Sequence, residues 1–152
     1  MKKKVFNSVA LRFPSKSNNE SFARASAAAF IAQLDPTLDE LNDIKTAVSE
    51  AVTNCIVHAY RDSVGQISMT VRLYEPATVE IIVRDSGCGI DDIARARTPL
   101  FTTGDALRSG MGFTIMESFM DKLYVRSKPG KGTTVRMQKT LSQRAQGEGK
   151  GQ

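Results

Sequence analysis

The 152-residue chain has one histidine, His58, and two cysteines, Cys55 and Cys88. A disulfide framework or a structural metal site needs more ligands than that. A Cys/His metal cluster is therefore excluded, and reduced thiols in a cytoplasmic protein are expected. No apolar run approaches the roughly 20 residues of a membrane span. Lys2, Lys3 and Lys4 bring charge to the N-terminus, but no apolar stretch follows them, so no signal peptide is expected. Aromatic residues make up only 7% of the chain. There is no nucleic-acid recognition motif and no stacking platform. The net charge of +5 then reads as basic, soluble termini, with no direct nucleic-acid partner and no membrane partner.

What is present suits one globular domain. The hydrophobic share is 41% and the charged share 24%, both ordinary for a packed protein of this length. Residues 1–141 read as that domain. Residues 142–152 lack core-forming side chains and are expected to be disordered. Val5, Val9, Leu11 and Phe13 alternate as a strand that Pro14 ends. Ser17-x-x-Glu20 has the spacing of a capping box, which predicts a helix to about Gln33, broken by Asp35-Pro36. Thr37-x-x-Glu40 is a second capping box. The helix after it is expected from Leu38 to about Tyr60, with Leu41, Ile44, Val48, Ala51, Val52 and Cys55 on one stripe. Ile67 to Leu73 and Val79 to Val83 alternate on either side of Glu75-Pro76 and read as a hairpin. Asp91 to Arg108 is polar, with weak periodicity, and reads as a loop or lid. Gly112 to Met120 reads as a helix. Leu123 to Ser127 and Thr133 to Leu141 read as two last strands. The layout is an α/β sandwich, a mixed and mostly antiparallel sheet with helices on one face.

Three separated segments carry chemistry. In Glu50-Ala-Val-Thr-Asn54 a carboxylate and an amide stand four residues apart, on one face of the long helix. His58 continues that stripe. Alone this would be a solvated helix face; with the other segments it suits an amide oxygen on a hard cation such as magnesium and a carboxylate polarising a hydroxyl or water. In Asp85-Ser-Gly87-Cys-Gly89 a carboxylate ends an apolar strand. The ordinary reading is a turn; the functional one has Gly87 and Gly89 let the backbone approach a base. In Ser109-Gly110-Met-Gly112-Phe-Thr114 a glycine pair opens a helix, whose unsatisfied N–H groups favour phosphate. Arg108 and Ser109 could reach the same phosphates, and Thr102 and Thr103 could close over the nucleotide. Gly130-Lys-Gly132-Thr133 is, by itself, a hairpin turn.

In this order the segments resemble the N, G1 and G2 boxes of the GHKL ATP-binding fold (gyrase, Hsp90, histidine kinases and MutL). The match extends further. Asn19-Glu20-Ser21-Phe22-Ala23-Arg24, Phe30 to Pro36, Pro99-Leu-Phe-Thr-Thr103 and Arg108 to Glu117 resemble the anti-sigma-F factors of endospore-forming bacteria, over roughly Asn18 to Leu141. The resemblance implies a homodimeric serine kinase that uses ATP and Mg2+. It also implies that the protein sequesters sigma factor F and phosphorylates a serine of an anti-anti-sigma factor. It implies that Asp85 accepts the adenine amino group, that Thr133 helps hold adenine through water, and that Glu20 and Arg24 form a partner surface. From the residues alone, Glu20 and Arg24 are only exposed charges. Gly104-Asp105 stands where relatives often carry a lysine. A general-stress-type anti-sigma kinase is the runner-up, and a nucleotide-gated binding module without useful phosphoryl transfer is the other class.

Overall fold

The computed structural model describes residues 4–98 and 112–142. Thr102, Thr103, Arg108, Ser109 and Gly110 lie outside the described residues, as do most of the expected lid and the tail beyond Ser142. The elements run β1 (Val5–Pro14), α1 (Asn18–Ile31), α2 (Leu38–Asn54), β2 (Gln66–Tyr74), β3 (Thr78–Asp85), α3 (Ile93–Ala96), α4 (Gly112–Phe119), β4 (Lys122–Lys128) and β5 (Gly132–Thr140). The five strands form one antiparallel sheet in the order β1-β2-β3-β5-β4. Helices α1, α2 and α4 pack on one face, as the alternation predicts.

The period-2 pattern decides which face that is. Ile67, Met69, Val71 and Leu73 of β2 are fully buried, as are Val79 and Ile81 of β3 and Met137 of β5. Their alternate neighbours Ser68, Thr70 and Arg72 are only half-buried. From the helix side, Ile44, Ala47, Val48, Ala51 and Val52 of α2, and Cys55 just beyond its end, close the core with Ala23, Ala27 and Ile31 of α1. Burying branched chains of this kind contributes roughly 1.5–3 kcal/mol each, so the sandwich is held by these two facing stripes.

Two expectations need correction. The box at Thr37 forms: Thr37 Oγ1 accepts from Glu40 N–H at 3.1 Å, and Glu40 Oε1 accepts from Thr37 N–H at 2.8 Å. The box at Ser17 does not. Ser17 is itself helical, with φ −57° and ψ −31°, and makes no side-chain cap. Its intended partner Glu20 turns instead to Arg24 and Ser49. The second correction concerns α2, which does not run as an α-helix to Tyr60. It becomes a π-helical turn over Cys55–Ala59, closed by Tyr60 N–H on the Cys55 carbonyl. Such widened turns are frequent at functional sites. Here the turn presents the Ala59 carbonyl to the N–H of Cys88 at 3.1 Å, tying the helix end to the loop after β3. Part of the expected loop is also ordered, as the short helix α3, capped by Asp92 Oδ1 on the N–H of Arg95 at 3.0 Å.

Among the described residues no helix is long and apolar enough to cross a membrane. Among them, too, no three His, Cys, Asp or Glu side chains cluster as a metal site.

Candidate functional site

A cavity of about 480 Å³ opens on the helix-covered face of the sheet, between the end of α2, the loop after β3, α3 and α4. That volume is in the range of small-molecule sites, about 300–1,000 Å³. Its walls are largely apolar, with Ala51, Ile90, Ala96, Phe113 and Val135. Asn54, Asp85, Gly89 and Thr133, from four separate stretches of sequence, all line it.

Asp85 is the last residue of β3 and is buried. Its two oxygens are used differently. Oδ1 accepts the backbone N–H of Gly87 at 2.9 Å and that of Thr133 at 3.2 Å. Among the described residues, Oδ2 accepts only the Cys55 thiol, at 3.4 Å. The carboxylate is thus held rigidly by its inner oxygen, while the outer one meets a weak donor. Burial, and then the Asp85 charge and hydrogen bond, push the Cys55 thiol well above its ordinary range. Cys55 therefore stays protonated and donates.

Thr133 stands directly opposite Asp85 in the β3–β5 register. Its hydroxyl lies 2.8 Å from Ser127 Oγ, which donates to the Gly132 carbonyl at 3.0 Å and accepts the Ile90 N–H at 2.8 Å. Ser127 has one hydrogen and uses it on Gly132. Thr133 must then be the donor of their shared bond, which leaves Thr133 Oγ1 with acceptor lone pairs. A carboxylate oxygen and a hydroxyl oxygen, both acceptors, thus sit side by side in the cavity wall. That acceptor pair fits a ligand edge bearing an amino group.

Gly87 and Gly89 both pack closely against neighbouring backbone, and Gly89 also lines the cavity. A Cβ on Gly87 would come within 2.3 Å of the Ala59 carbonyl oxygen. One on Gly89 would come within 2.1 Å of the Lys128 carbonyl oxygen, and Gly89 also has φ +79°. The close approach seen in the structure is, for both, to backbone. Gly87 does not line the cavity. Gly112, the first residue of α4, lies behind Asn54: a Cβ there would meet Asn54 Oδ1 at 3.1 Å. The N-terminal end of α4 is thereby set beside the Asn54 amide.

Glu50 is half-buried one turn before Asn54 and is not among the cavity's lining residues. His58 does line it. Glu20 and Arg24 are not the independent exposed charges that the sequence alone suggests. They form an i,i+4 ion pair at 2.9 Å, and both bond Ser49, the neighbour of Glu50. Glu20 and Arg24 are therefore joined through Ser49 to the helix that carries Glu50 and Asn54.

Reasoning from sequence missed Ser127, Cys55 as a donor to Asp85, and Tyr60. The Tyr60 hydroxyl accepts the Ser86 N–H at 2.6 Å and donates to the Gln66 carbonyl at 2.8 Å. Gly65 is the one signal for Tyr60, since a Cβ there would lie 2.2 Å from its ring. For a magnesium ion the described residues supply the Asn54 amide oxygen, with no acidic cage around it. That suits a cation brought in by phosphates and largely hydrated, which is how magnesium is usually bound.

The fold and this site define a class, the GHKL ATP-binding domains. The model of the histidine kinase-like ATPase domain matches residues 13–139. Solved structures with the same fold include the RsbU and RsbW domains of a Mycobacterium tuberculosis protein, with a TM-score of 0.65, 20% identity, and coverage of 89% of this chain and 32% of that one. Another is the mycobacterial sensor histidine kinase MprB, with a TM-score of 0.56, 14% identity, and coverage of 89% and 99%. Among curated relatives, the anti-sigma F factor of Caldanaerobacter subterraneus subsp. tengcongensis is 56% identical over 137 residues, covering 89% of this chain and 94% of its own. That of Geobacillus kaustophilus is 56% identical over 138 residues, covering 90% and 94%. The chain belongs to the anti-sigma F factor family.

Proposed function

We propose that this protein is an ATP-dependent serine kinase that also sequesters sigma factor F and phosphorylates a serine of its anti-anti-sigma factor. The observation that carries the reading is the Asp85 carboxylate in the cavity wall, its inner oxygen fixed by two backbone N–H groups and its outer oxygen open to a stronger donor than a thiol. An adenine amino group is such a donor, and guanine has a carbonyl at that position. Thr133 Oγ1, as an acceptor, takes a water or the same amino group.

Asn54 would hold a magnesium ion, which neutralises phosphate charge when bound. Glu50 would accept the proton of the attacking serine hydroxyl. The serine oxygen forms a bond to the γ-phosphorus, the bond from that phosphorus to the bridging oxygen breaks, and ADP leaves. Phosphoryl transfer depends mostly on positioning and charge neutralisation, so a single polarising carboxylate suffices. Thr102, Thr103, Arg108, Ser109 and Gly110 complete the phosphate side in this reading. Glu20 and Arg24 form the protein-partner surface, and the working unit is a homodimer in the cytoplasm.

The test is incubation of the purified protein with γ-labelled ATP, magnesium and a candidate anti-anti-sigma factor, beside Glu50→Ala. Wild type should label one serine of the partner. Glu50→Ala should bind ATP normally and leave the partner unlabelled. Normal labelling by Glu50→Ala makes the carboxylate structural and removes it from the chemistry.

A further inference from the structure

The face of the sheet that the helices leave bare is strongly basic. The side chains that alternate away from the core include Arg12 on β1, Arg72 on β2, Arg84 on β3, Lys122, Arg126 and Lys128 on β4, and Arg136 on β5. The only acid in these strands that points the same way is Glu80. The chain has 21 Lys and Arg against 16 Asp and Glu, and this face carries seven of those bases with one acid.

The strand registers order part of this charge into a line. Arg12 pairs with Ser68, Ser68 with Arg84, Arg84 with Thr134, and Thr134 with Arg126. One straight row therefore crosses all five strands, arginine alternating with hydroxyl. The neighbouring rows differ. There Arg72 and Arg136 are held by Glu80 at 3.3 and 3.2 Å. Arg12, Arg84 and Arg126 are exposed, and none has an acidic partner among the described residues. Side-by-side strands lie about 4.8 Å apart, so successive arginines of the row stand about 9.6 Å apart.

We infer that this row is a docking track for an acidic, extended protein segment. A polyproline II chain has three residues per turn and a rise of about 3.1 Å per residue. Carboxylates at every third position then lie on one edge, about 9.3 Å apart, which matches the arginine pitch. A β-extended chain does not match, because its same-face side chains repeat at even spacings. Each guanidinium offers a fork that takes a carboxylate with two parallel hydrogen bonds. Ser68 and Thr134 lie between the forks as donors to the segment's carbonyls, which a polyproline II chain leaves free. Nucleic acid fits less well. The aromatic side chains of β2 to β5 on this face are Tyr74, bonded to Glu80 at 2.9 Å, and Tyr124, covered by the Arg136 guanidinium at 4.5 Å. The row itself holds no aromatic ring for bases to stack on, and the exposed rings of Tyr124 and Phe6 lie outside it.

Fluorescence anisotropy tests this with a labelled (Glu-Pro-Pro)5 peptide, a peptide of the same composition with its five glutamates clustered at one end, and a single-stranded 15-nucleotide DNA. The proteins are wild type and the triple variant R12Q/R84Q/R126Q, whose melting temperature and ADP affinity should equal those of wild type. Wild type should bind the periodic peptide more tightly than the clustered one. The triple variant should lose roughly tenfold, the sum of three modest surface pairs. No binding of the periodic peptide, equal binding of the clustered one, tighter binding of the DNA, or an unaffected variant would each overturn the inference.

Discussion

Gly112 lies against the side-chain amide of Asn54, so closely that a Cβ at position 112 would sit 3.1 Å from Oδ1 and 3.2 Å from Nδ2. The first residue of α4 thus sets the position of the amide that the proposal gives to magnesium. Gly112→Ala should move the amide by a few tenths of an ångström without breaking the core, since only a side-chain tip has to yield. The expected outcome is a melting temperature within a few degrees of wild type and ATP binding weakened severalfold in the presence of magnesium. Asn54→Ala should abolish the magnesium dependence of binding altogether. Calorimetry with and without magnesium measures both. Unchanged magnesium dependence in Asn54→Ala would remove the amide from metal binding.

Arg24 is bound to Glu20 and Ser49 and does not line the cavity. Arg24→Ala should therefore leave ATP affinity within about twofold, because an exposed i,i+4 pair contributes only about 0.3–0.5 kcal/mol. Capture of sigma factor F in a pull-down should fall sharply. Undiminished capture of both protein partners would remove Arg24 from the interface.

Glu80 is a buried carboxylate on the bare face of the sheet. Burial raises its pKa, but hydrogen bonds from Gln138, Tyr74 and Arg72 and the charge of Arg136 outweigh it, leaving the carboxyl below its usual range. A group whose pKa is depressed by folding adds stability above its unfolded pKa and loses it as pH falls through the folded value. Glu80→Gln should thus be less stable than wild type at neutral pH, by about 1–3 kcal/mol. The difference should shrink as pH falls below the ordinary carboxylate range. Urea unfolding of both proteins across pH gives the curve, and a gap independent of pH would mean that the charge contributes nothing.

How much of this was legible in the sequence depends on whether the signal is local. The strands and the two facing stripes follow from apolar alternation, which β2 obeys throughout, while β3 departs from it at the buried Thr78 and Glu80. Asn54 and Asp85 are flagged by short segments that carry their own chemistry. Ser127 carries no such flag. It is one hydroxyl in the alternation of β4, and it matters only because the β4–β5 pairing brings it beside Thr133. Glu20 misled for the opposite reason. Its spacing from Ser17 is right for a cap, but α1 packs close enough to α2 for Ser49 to compete, and the ion pair with Arg24 wins. The π-helical turn at Cys55–Ala59 could not be read either, because a widened turn is set by the loop it must meet. The arginine row depends on four strand pairings, and two of them, β1 with β2 and β3 with β5, join segments far apart in sequence.

The proposed homodimer should couple nucleotide state to partner binding. A ligand shifts a conformational equilibrium only by its differential affinity for the two states, so the ATP-loaded protein should bind labelled sigma factor F more tightly than the ADP-loaded protein. The anti-anti-sigma factor should be released once its serine carries phosphate, through the added negative charge. Titration in both nucleotide states, with light scattering for mass, tests this. A monomer with equal affinities would leave only a nucleotide-binding domain.

The most direct test of the account is ATP affinity in Asp85→Asn. Asparagine keeps an oxygen for the N–H groups of Gly87 and Thr133, so the loop after β3 should hold and the melting temperature should change little. In place of the outer carboxylate oxygen it presents an N–H2 donor to the cavity. Two donors then face each other where the adenine amino group should bind. Losing a charged acceptor costs about 1.5–3 kcal/mol, and calorimetry should show ATP binding weaker by roughly ten- to a hundredfold. Equal ATP affinity in wild type and a folded Asp85→Asn would contradict the assignment of this cavity to adenine.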